Sequence, residues 1–145
     1  MIVIASDHAG LELKQHVMEH LDERGIPYTD IGTYTPESCH YPLFGAAAAR
    51  GVADGTYEKG ILVCGTGIGI SISANKIRGI RCANCSDVYS AEKSREHNDA
   101  NMLALGGRVV GSGLAEKIVD AFLDTEFLGG RHADRVRMMM ELENS

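Results

Sequence analysis

The chain has 145 residues, 44% of them hydrophobic, and its 20 aspartates and glutamates outweigh 14 lysines and arginines, for a formal charge of −6. This length and apolar content predict one domain spanning residues 1–145, and the acidic balance without a basic run argues against nucleic acid as a partner. No apolar run approaches the roughly 18 residues that cross a bilayer and no secretory signal is evident, so we expect no membrane contact and a cytoplasmic location.

Strands and helices alternate along the chain. Apolar runs predict strands at residues 2–5, 26–31, 61–64, 79–85 and 102–105, and amphipathic patterns predict helices at residues 11–24, 44–53, 68–77, 87–96 and 114–123. Because such alternation implies right-handed crossovers, it predicts a parallel sheet of about five strands with helices on both faces, a three-layer α/β/α fold.

One extra helix is predicted at the C-terminal end, over residues 131–143, and it has two apolar sides. One stripe consists of Ala133, Val136, Met139 and Met140. The other side carries Met138 and Leu142, in line with Arg131 and Arg135. We expect one side to pack on the chain itself and the other on a partner subunit.

The most informative segment follows the third predicted strand, where Cys64 precedes alternate glycines at positions 65, 67 and 69. Glycines allow a sharp turn with inward-pointing N–H groups, and the next helix adds the positive end of its dipole, so the loop predicts an anion cradle. The positive potential at the start of that helix also stabilises the thiolate form of Cys64. Neither the G-x-G-x-x-G nor the G-x-x-x-x-G-K-[ST] pattern fits here, which argues against a classical dinucleotide or P-loop site. A glycine-rich turn with a buried structural cysteine is the alternative.

Polar residues that follow other elements have two interpretations each. Asp7 and His8, after the first strand, could form an acid/base pair, or Asp7 could cap the next helix. Thr66 could face the ligand of the cradle or bond within its own turn. His97, which precedes Asn98 at the end of a helix, could serve catalysis or only cap that helix.

Three arginines could supply the positive surface that an anionic ligand needs in an acidic protein. Arg131 and Arg135 are one helical turn apart and could clamp a phosphate, although surface ion pairs are the commoner role of such residues. Arg108 follows the last predicted strand and is the third candidate.

Two metal-like patterns are rejected. His16 to His20 match H-x-x-E-H, but helical spacing turns His16 and Glu19 away from the buried side, which argues against a zinc site. Cys82 and Cys85 form a C-x-x-C within a predicted strand, where their thiols would point to opposite faces and pack in the core. Without a secretory signal, the four cysteines are expected to be free thiols.

Four motifs taken together closely resemble those of the type B ribose-5-phosphate isomerases, in the order and approximate spacing of that family. They are Ser6-Asp7-His8-Ala9-Gly10, Cys64-Gly65-Thr66-Gly67-Ile68-Gly69, His97-Asn98-Asp99-Ala100-Asn101 and Gly129-Gly130-Arg131-His132. The resemblance covers essentially the whole chain. It implies a Rossmann-like fold and a homodimer, or a higher oligomer, with active sites at the subunit interface. It also implies a sugar phosphate as substrate and, without metal or cofactor, the interconversion of ribose 5-phosphate and ribulose 5-phosphate in the pentose phosphate pathway.

The resemblance also implies residue roles. Cys64 matches the base that transfers a proton between C2 and C1 through a cis-enediol(ate), with Thr66 beside it, and His97 matches the residue that opens the furanose ring, assisted by Asp7. Amides of the glycine loop would stabilise the enediolate oxygen. The arginines and His8 would serve the phosphate. The implied substrate-binding positions are Asp7, His8, Gly65, Thr66, Gly67, Ile68, Gly69, Asn98, Arg108, Arg131 and Arg135.

Two departures from the family pattern bear on function. Some members carry a glutamate base where this chain has Ile70, so Cys64 is the only base expected here. Members often have Asp-Tyr-Pro where this chain has His40-Tyr41-Pro42, which bears on substrate choice. Allose 6-phosphate and galactose 6-phosphate are the alternative substrates. Alternatives from other classes are a noncatalytic phosphate- or nucleotide-sensing module and a thiol oxidoreductase using Cys82 and Cys85.

Overall fold

A computed structural model describes the whole chain, from Met1 to Ser145. One parallel sheet has the strand order β2-β1-β3-β5-β4 and consists of β1 (Ile2–Ser6), β2 (Tyr28–Asp30), β3 (Lys59–Cys64), β4 (Cys82–Asn84) and β5 (Met102–Gly106). The helices are α1 (Leu11–Glu23), α2 (Tyr41–Ala53), α3 (Ile68–Asn75), α4 (Val88–Glu96), α5 (Ser112–Asp124) and α6 (Arg131–Glu141). The predicted five-stranded α/β fold with an extra C-terminal helix is confirmed.

The core has two halves, one on each face of the sheet. Strands β1, β3 and β5 are buried along nearly their whole length, because helices cover both faces of the sheet. Helices α1, α4 and α5 bury their apolar sides on one face, with Phe122 of α5 fully buried there. Helices α2 and α3 cover the other face, toward which Cys64 points. No helix of this structure is both long enough and apolar enough to cross a membrane.

Most element boundaries differ from the sequence prediction by one to three residues at an end, and β2 spans only Tyr28–Asp30 of the predicted 26–31. Strand β4 contains only three residues, because Gly79 turns the chain at φ 88° and the Asn101 side chain accepts the Arg81 N–H. Helix α2 begins at Tyr41, three residues earlier than predicted, since Pro42 is accepted in a first helical turn. Helix α6 ends at Glu141 and continues as a short 3₁₀ turn.

The two rejected metal-like patterns have structural roles. His16 is less exposed than predicted, because its Nε2 lies 3.4 Å from Glu116 of α5. His20 lies between two carboxylates of α5, with Nδ1 3.0 Å from Glu116 and Nε2 2.7 Å from Asp120. These contacts join α1 to α5.

Cys82 and Cys85 pack on opposite faces of the sheet, as predicted. Burial is the main cause that raises the pKa of Cys82 to about 12 and that of Cys85 to about 11. Both thiols are therefore protonated at neutral pH, which favours core packing over redox chemistry.

Candidate active site

The sequence-predicted site residues fall into two groups at opposite ends of the sheet. Asp7, Cys64 and Arg108 follow the carboxyl ends of β1, β3 and β5, which meet at one edge because the strands are parallel. His97 instead follows α4 and precedes the amino end of β5, so it lies at the other edge. The sheet register places Cys64 opposite Gly106, the last residue of β5.

Cys64 ends β3 with its side chain 4% exposed. Its Sγ accepts the Gly67 N–H at 3.1 Å, so a backbone dipole points at the sulfur. Gly67 has φ 79°, and a Cβ there would lie 2.3 Å from Asn84 Oδ1 and 2.9 Å from the Leu105 carbonyl carbon. Only glycine fits this turn, which starts α3 directly beside the thiol.

The turn after the thiol carries several unpaired backbone donors. The N–H groups of Gly65, Thr66, Gly69 and Ile70 have no hydrogen-bond partner, since they precede or begin α3. Thr66 Oγ1 accepts the Ile68 N–H at 3.1 Å, so the turn-bonding role considered for this hydroxyl is confirmed. The loop thus combines a buried sulfur with several unpaired N–H donors, as an oxyanion site requires.

The segment around Tyr41 lies over this cradle. A Cβ at Gly69 would come within 2.5 Å of the Tyr41 ring, so the glycine permits close approach of that ring to the loop. His40 precedes Tyr41 and is the exposed N-cap of α2. The departure from the family pattern at residue 40 therefore lies next to the glycine loop.

Asp7 and His8 are held at the same edge by local hydrogen bonds. The buried Asp7 accepts the Gly10 N–H at 3.0 Å through Oδ1, while its Oδ2 has no protein partner. This bond lies in the turn before α1, and no side chain caps the helix itself, so the capping role considered for Asp7 is wrong. His8 Nδ1 accepts the Cys39 N–H at 3.2 Å. Neutral His8 therefore carries its proton on Nε2, which can donate to an anion.

Arg108 belongs to the thiol-bearing edge. Its N–H donates to the Gly65 carbonyl at 3.0 Å, and its Nη1 lies 3.5 Å from where a Gly65 Cβ would be. A cavity of about 650 Å³ lies beside it, between α1 and the segment after β5, but Cys64 does not line this cavity. The side chain of Arg108 is exposed and carries no ion pair within the chain.

His97 caps the C-terminal end of α4, and two arginines fix the turn that follows it. Asp99 has φ 47°, an uncommon value for a residue other than glycine. Arg95 bonds the Asp99 carboxylate at 2.9 Å, while Arg81 donates to the carbonyls of Asn98 and Asp99 at 3.1 and 2.8 Å. The backbone that carries His97 and the exposed Asn98 is therefore rigidly held.

His132 stacks on His97, a contact that the sequence analysis did not predict. The ring centroids are 4.2 Å apart and the planes differ by 13°. Burial, followed by the positive charges of His97, Arg131 and Arg135, lowers the pKa of His132. The only signal in the sequence was the Gly129–His132 motif, in which His132 stands beside a predicted phosphate ligand. Arg131 and Arg135 thus belong to the His97 end of the molecule.

Helix α6 departs from the predicted two-sided pattern at two positions of the first stripe, Ala133 and Met139, which are both exposed. Met140 is half-buried and contacts Arg81, whereas Met138 and Leu142 are 61% and 69% exposed. Ala133, which was assigned to the inward stripe, is exposed because His132 takes the buried position in the first turn. Further exposed apolar side chains flank the glycine loop, namely Leu43, Ile68 and Ile72.

One chain therefore brings together only part of the predicted site. Around Cys64 it assembles Asp7, His8, Arg108 and the glycine loop. Around His97 it assembles Asn98, Arg131 and Arg135, together with His132. It does not bring the two groups together.

Comparison with known proteins gives a consistent result. A family model described as Ribose/Galactose Isomerase matches residues 2–139. The ribose-5-phosphate isomerase B of Escherichia coli is 49% identical over 98% of this chain and 95% of its own. The Clostridium thermocellum ribose-5-phosphate isomerase B superposes with a TM-score of 0.97 at 53% identity, covering 99% of this chain and 97% of the other. The Mycoplasma genitalium enzyme, solved with bound ribulose-5-phosphate, gives a TM-score of 0.95 at 38% identity, covering 99% and 96%.

Proposed function

Because the chain belongs to the ribose/galactose isomerase family and is an isomerase, we propose that it interconverts ribose 5-phosphate and ribulose 5-phosphate through a cis-enediol(ate). Family membership favours this enzyme over the noncatalytic sensor and the thiol oxidoreductase. The observation that carries the mechanism is the buried Cys64 sulfur among unpaired backbone N–H groups.

The reaction moves protons within the sugar, and neither the enzyme nor the sugar as a whole is oxidised or reduced. The Cys64 thiolate removes the C2 proton of the open-chain aldose, and the electron pair of that bond shifts to O1 through a C1–C2 double bond. A proton passes from the C2 hydroxyl oxygen to O1. As the C2 carbonyl forms, the C1–C2 double bond takes the proton back from the thiol at C1, which regenerates the Cys64 thiolate. Negative charge on the enediolate oxygen is stabilised by the free N–H groups of Thr66 and Gly69.

We propose that two copies of the chain form each active site. Within one chain Cys64 and His97 lie at opposite edges of the sheet, so a base and a ring-opening acid can act on one substrate only if a second copy supplies His97. The exposed apolar side chains suit a homodimer interface. They are Met138 of α6, Leu142 just after it, and Leu43, Ile68 and Ile72 near the glycine loop.

The same arrangement divides the phosphate ligands between subunits. Arg108 and His8 come with Cys64 from one chain, whereas Arg131 and Arg135 come with His97 from the other. Each guanidinium group can donate two parallel hydrogen bonds to phosphate oxygens, so this set can hold the phosphate dianion of the sugar in an acidic protein. Base, acid, oxyanion donors and phosphate ligands are then all side chains or amides of this chain, so we propose a reaction that needs neither metal nor cofactor.

A six-carbon sugar phosphate, allose 6-phosphate or galactose 6-phosphate, is the second candidate substrate. The observation that favours testing it is the position of His40 and Tyr41 beside Gly69, where the chain departs from the common family pattern. Because these side chains lie beside the glycine loop proposed to stabilise the enediolate, we expect them to discriminate between sugars.

Solvent isotope exchange tests the function. In deuterated water with ribose 5-phosphate, the wild-type protein should form ribulose 5-phosphate that carries deuterium at C1. Proton NMR measures both the conversion and the deuterium incorporation. Cys64→Ala should lose both conversion and exchange, by a factor of about 1,000, while still binding the sugar phosphate in calorimetry. Cys82→Ala, which removes a thiol outside the site, is the matched control and should stay active. A wild-type protein that binds without exchange, or an active Cys64→Ala variant, would refute the proposal.

A further inference from the structure

His132 is buried in a helix that is otherwise at the surface. It is the only buried residue of α6, and its ring lies flat on that of His97. The contact joins residues 35 positions apart by sequence number and is maintained by the intervening segment, in which the Leu128 N–H donates to the Glu96 carbonyl at 3.1 Å. The His132 N–H donates to Gly129 at 3.0 Å, which fixes the start of α6.

The environment keeps His132 neutral. Burial lowers its pKa, as do the nearby charges of His97 on α4 and of Arg131 and Arg135 on α6, while Glu96 opposes them. Two imidazolium rings 4.2 Å apart would repel each other, so the pair carries one positive charge at most. His97 is the less buried ring, so it is the member of the pair that a ligand can reach.

His97 otherwise lacks a contact that sets its ring plane. Arg81 and Arg95 fix the backbone after it, but no hydrogen bond to either nitrogen of the His97 ring is present in the chain. A flat aromatic neighbour restricts rotation of the ring while leaving both nitrogens accessible. Such restriction matters because a proton donor misplaced by about 1 Å can cost roughly 100-fold in rate.

We propose that His132 is a positioning residue, whose stacked and neutral ring orients His97 for protonation of the sugar ring oxygen. This inference rests on the proposed isomerase function. His132 transfers no proton itself. Its aromatic plane is the property that matters, so phenylalanine can replace it and alanine cannot.

Two measurements separate ring opening from proton transfer at carbon. Conversion of ribose 5-phosphate requires the furanose to open. Ribulose 5-phosphate is already open-chain, since its O5 carries the phosphate, so deuterium exchange at its C1 requires only the Cys64 step. His132→Ala should lower kcat for ribose 5-phosphate about tenfold or more with KM within about twofold, and should leave exchange into ribulose 5-phosphate within about twofold.

The conservative variant His132→Phe should recover most of the lost kcat, and Arg137→Ala, which removes an exposed α6 side chain, serves as the matched control. Urea unfolding monitors folding of each variant. The inference is overturned if His132→Ala retains full kcat, if His132→Phe is as impaired as His132→Ala, or if exchange falls as much as conversion. If wild-type protein shows neither conversion nor exchange, the proposed isomerase function fails instead.

Discussion

Co-expression of two inactive variants, Cys64→Ala and His97→Ala, is expected to restore isomerase activity. In a mixed dimer, one active site combines both substitutions and stays inactive. The other combines the intact Cys64 of one chain with the intact His97 of its partner. Each variant alone provides no site with both groups.

The strand register separates Cys64 from His97 within one chain, and this separation sets the expected activity of the mixed dimer. Cys64 pairs with Gly106 and Gly60 pairs with Met102, so β5 separates the two edges by about 13 Å at roughly 3.3 Å per residue. His97 lies five positions before Met102, beyond the amino end of the strand. Since the two groups cannot meet within one chain, the purified mixed dimer should show about half of the wild-type activity, from one intact site of two.

The assay uses two affinity tags, one on each variant, and tandem purification of the mixed dimer before measurement with ribose 5-phosphate. Homodimers of each variant, purified in the same way, are the controls. If the mixed dimer is as inactive as the homodimers while remaining dimeric in sedimentation, then Cys64 and His97 act within one chain and the reasoning from strand register is refuted.

Two further predictions concern stability. Gly67→Ala should lower the free energy of unfolding by about 1–3 kcal/mol, because φ 79° and the contact with Leu105 exclude a Cβ. Gly113→Ala, at an open helical position, should raise it by up to about 1 kcal/mol. Urea unfolding of both variants checks this, and an unaffected Gly67→Ala would contradict it. The pKa values of Cys82 and Cys85 are raised to about 12 and 11 in the folded chain, so the unfolded chain loses these protons first as pH rises. The free energy of unfolding therefore falls above the ordinary thiol pKa of 9.0, by about 1 kcal/mol per thiol at pH 10. Urea unfolding at pH 8 and 10 should show a smaller alkaline loss in a double alanine variant; an equal loss would argue against buried thiols.

The fold was predictable because its signals are local. Residues 2–5, 61–64 and 102–105 are continuous apolar runs, typical of strands covered on both faces, and glycines mark several of the turns between elements. The cradle after Cys64 was predictable for the same reason, since its glycines and the next helix lie within a few residues of the thiol. Strand β4 was predicted too long, because the Asn101 side chain, rather than a neighbouring strand, bonds the Arg81 N–H and the Gly79 carbonyl ahead of the strand.

The stack of His132 on His97 could not be predicted from local pattern. It depends on the path of residues 125–130 and on the side of α4 that faces α6. The exposed position of Ala133 follows from the same contact, because only one residue of the first turn can occupy the buried place.

The sequence by itself determined the parallel sheet, the thiol beside a glycine-rich turn and the arginines proposed as phosphate ligands, because periodicity, glycine spacing and side-chain chemistry are properties of short segments. Only the tertiary structure decided that Cys64 and His97 lie at opposite edges, with Arg108 beside the first and Arg131 beside the second. In a parallel sheet, residues after strands and residues after helices lie at opposite ends, so the distance between them depends on register and packing rather than on any local pattern.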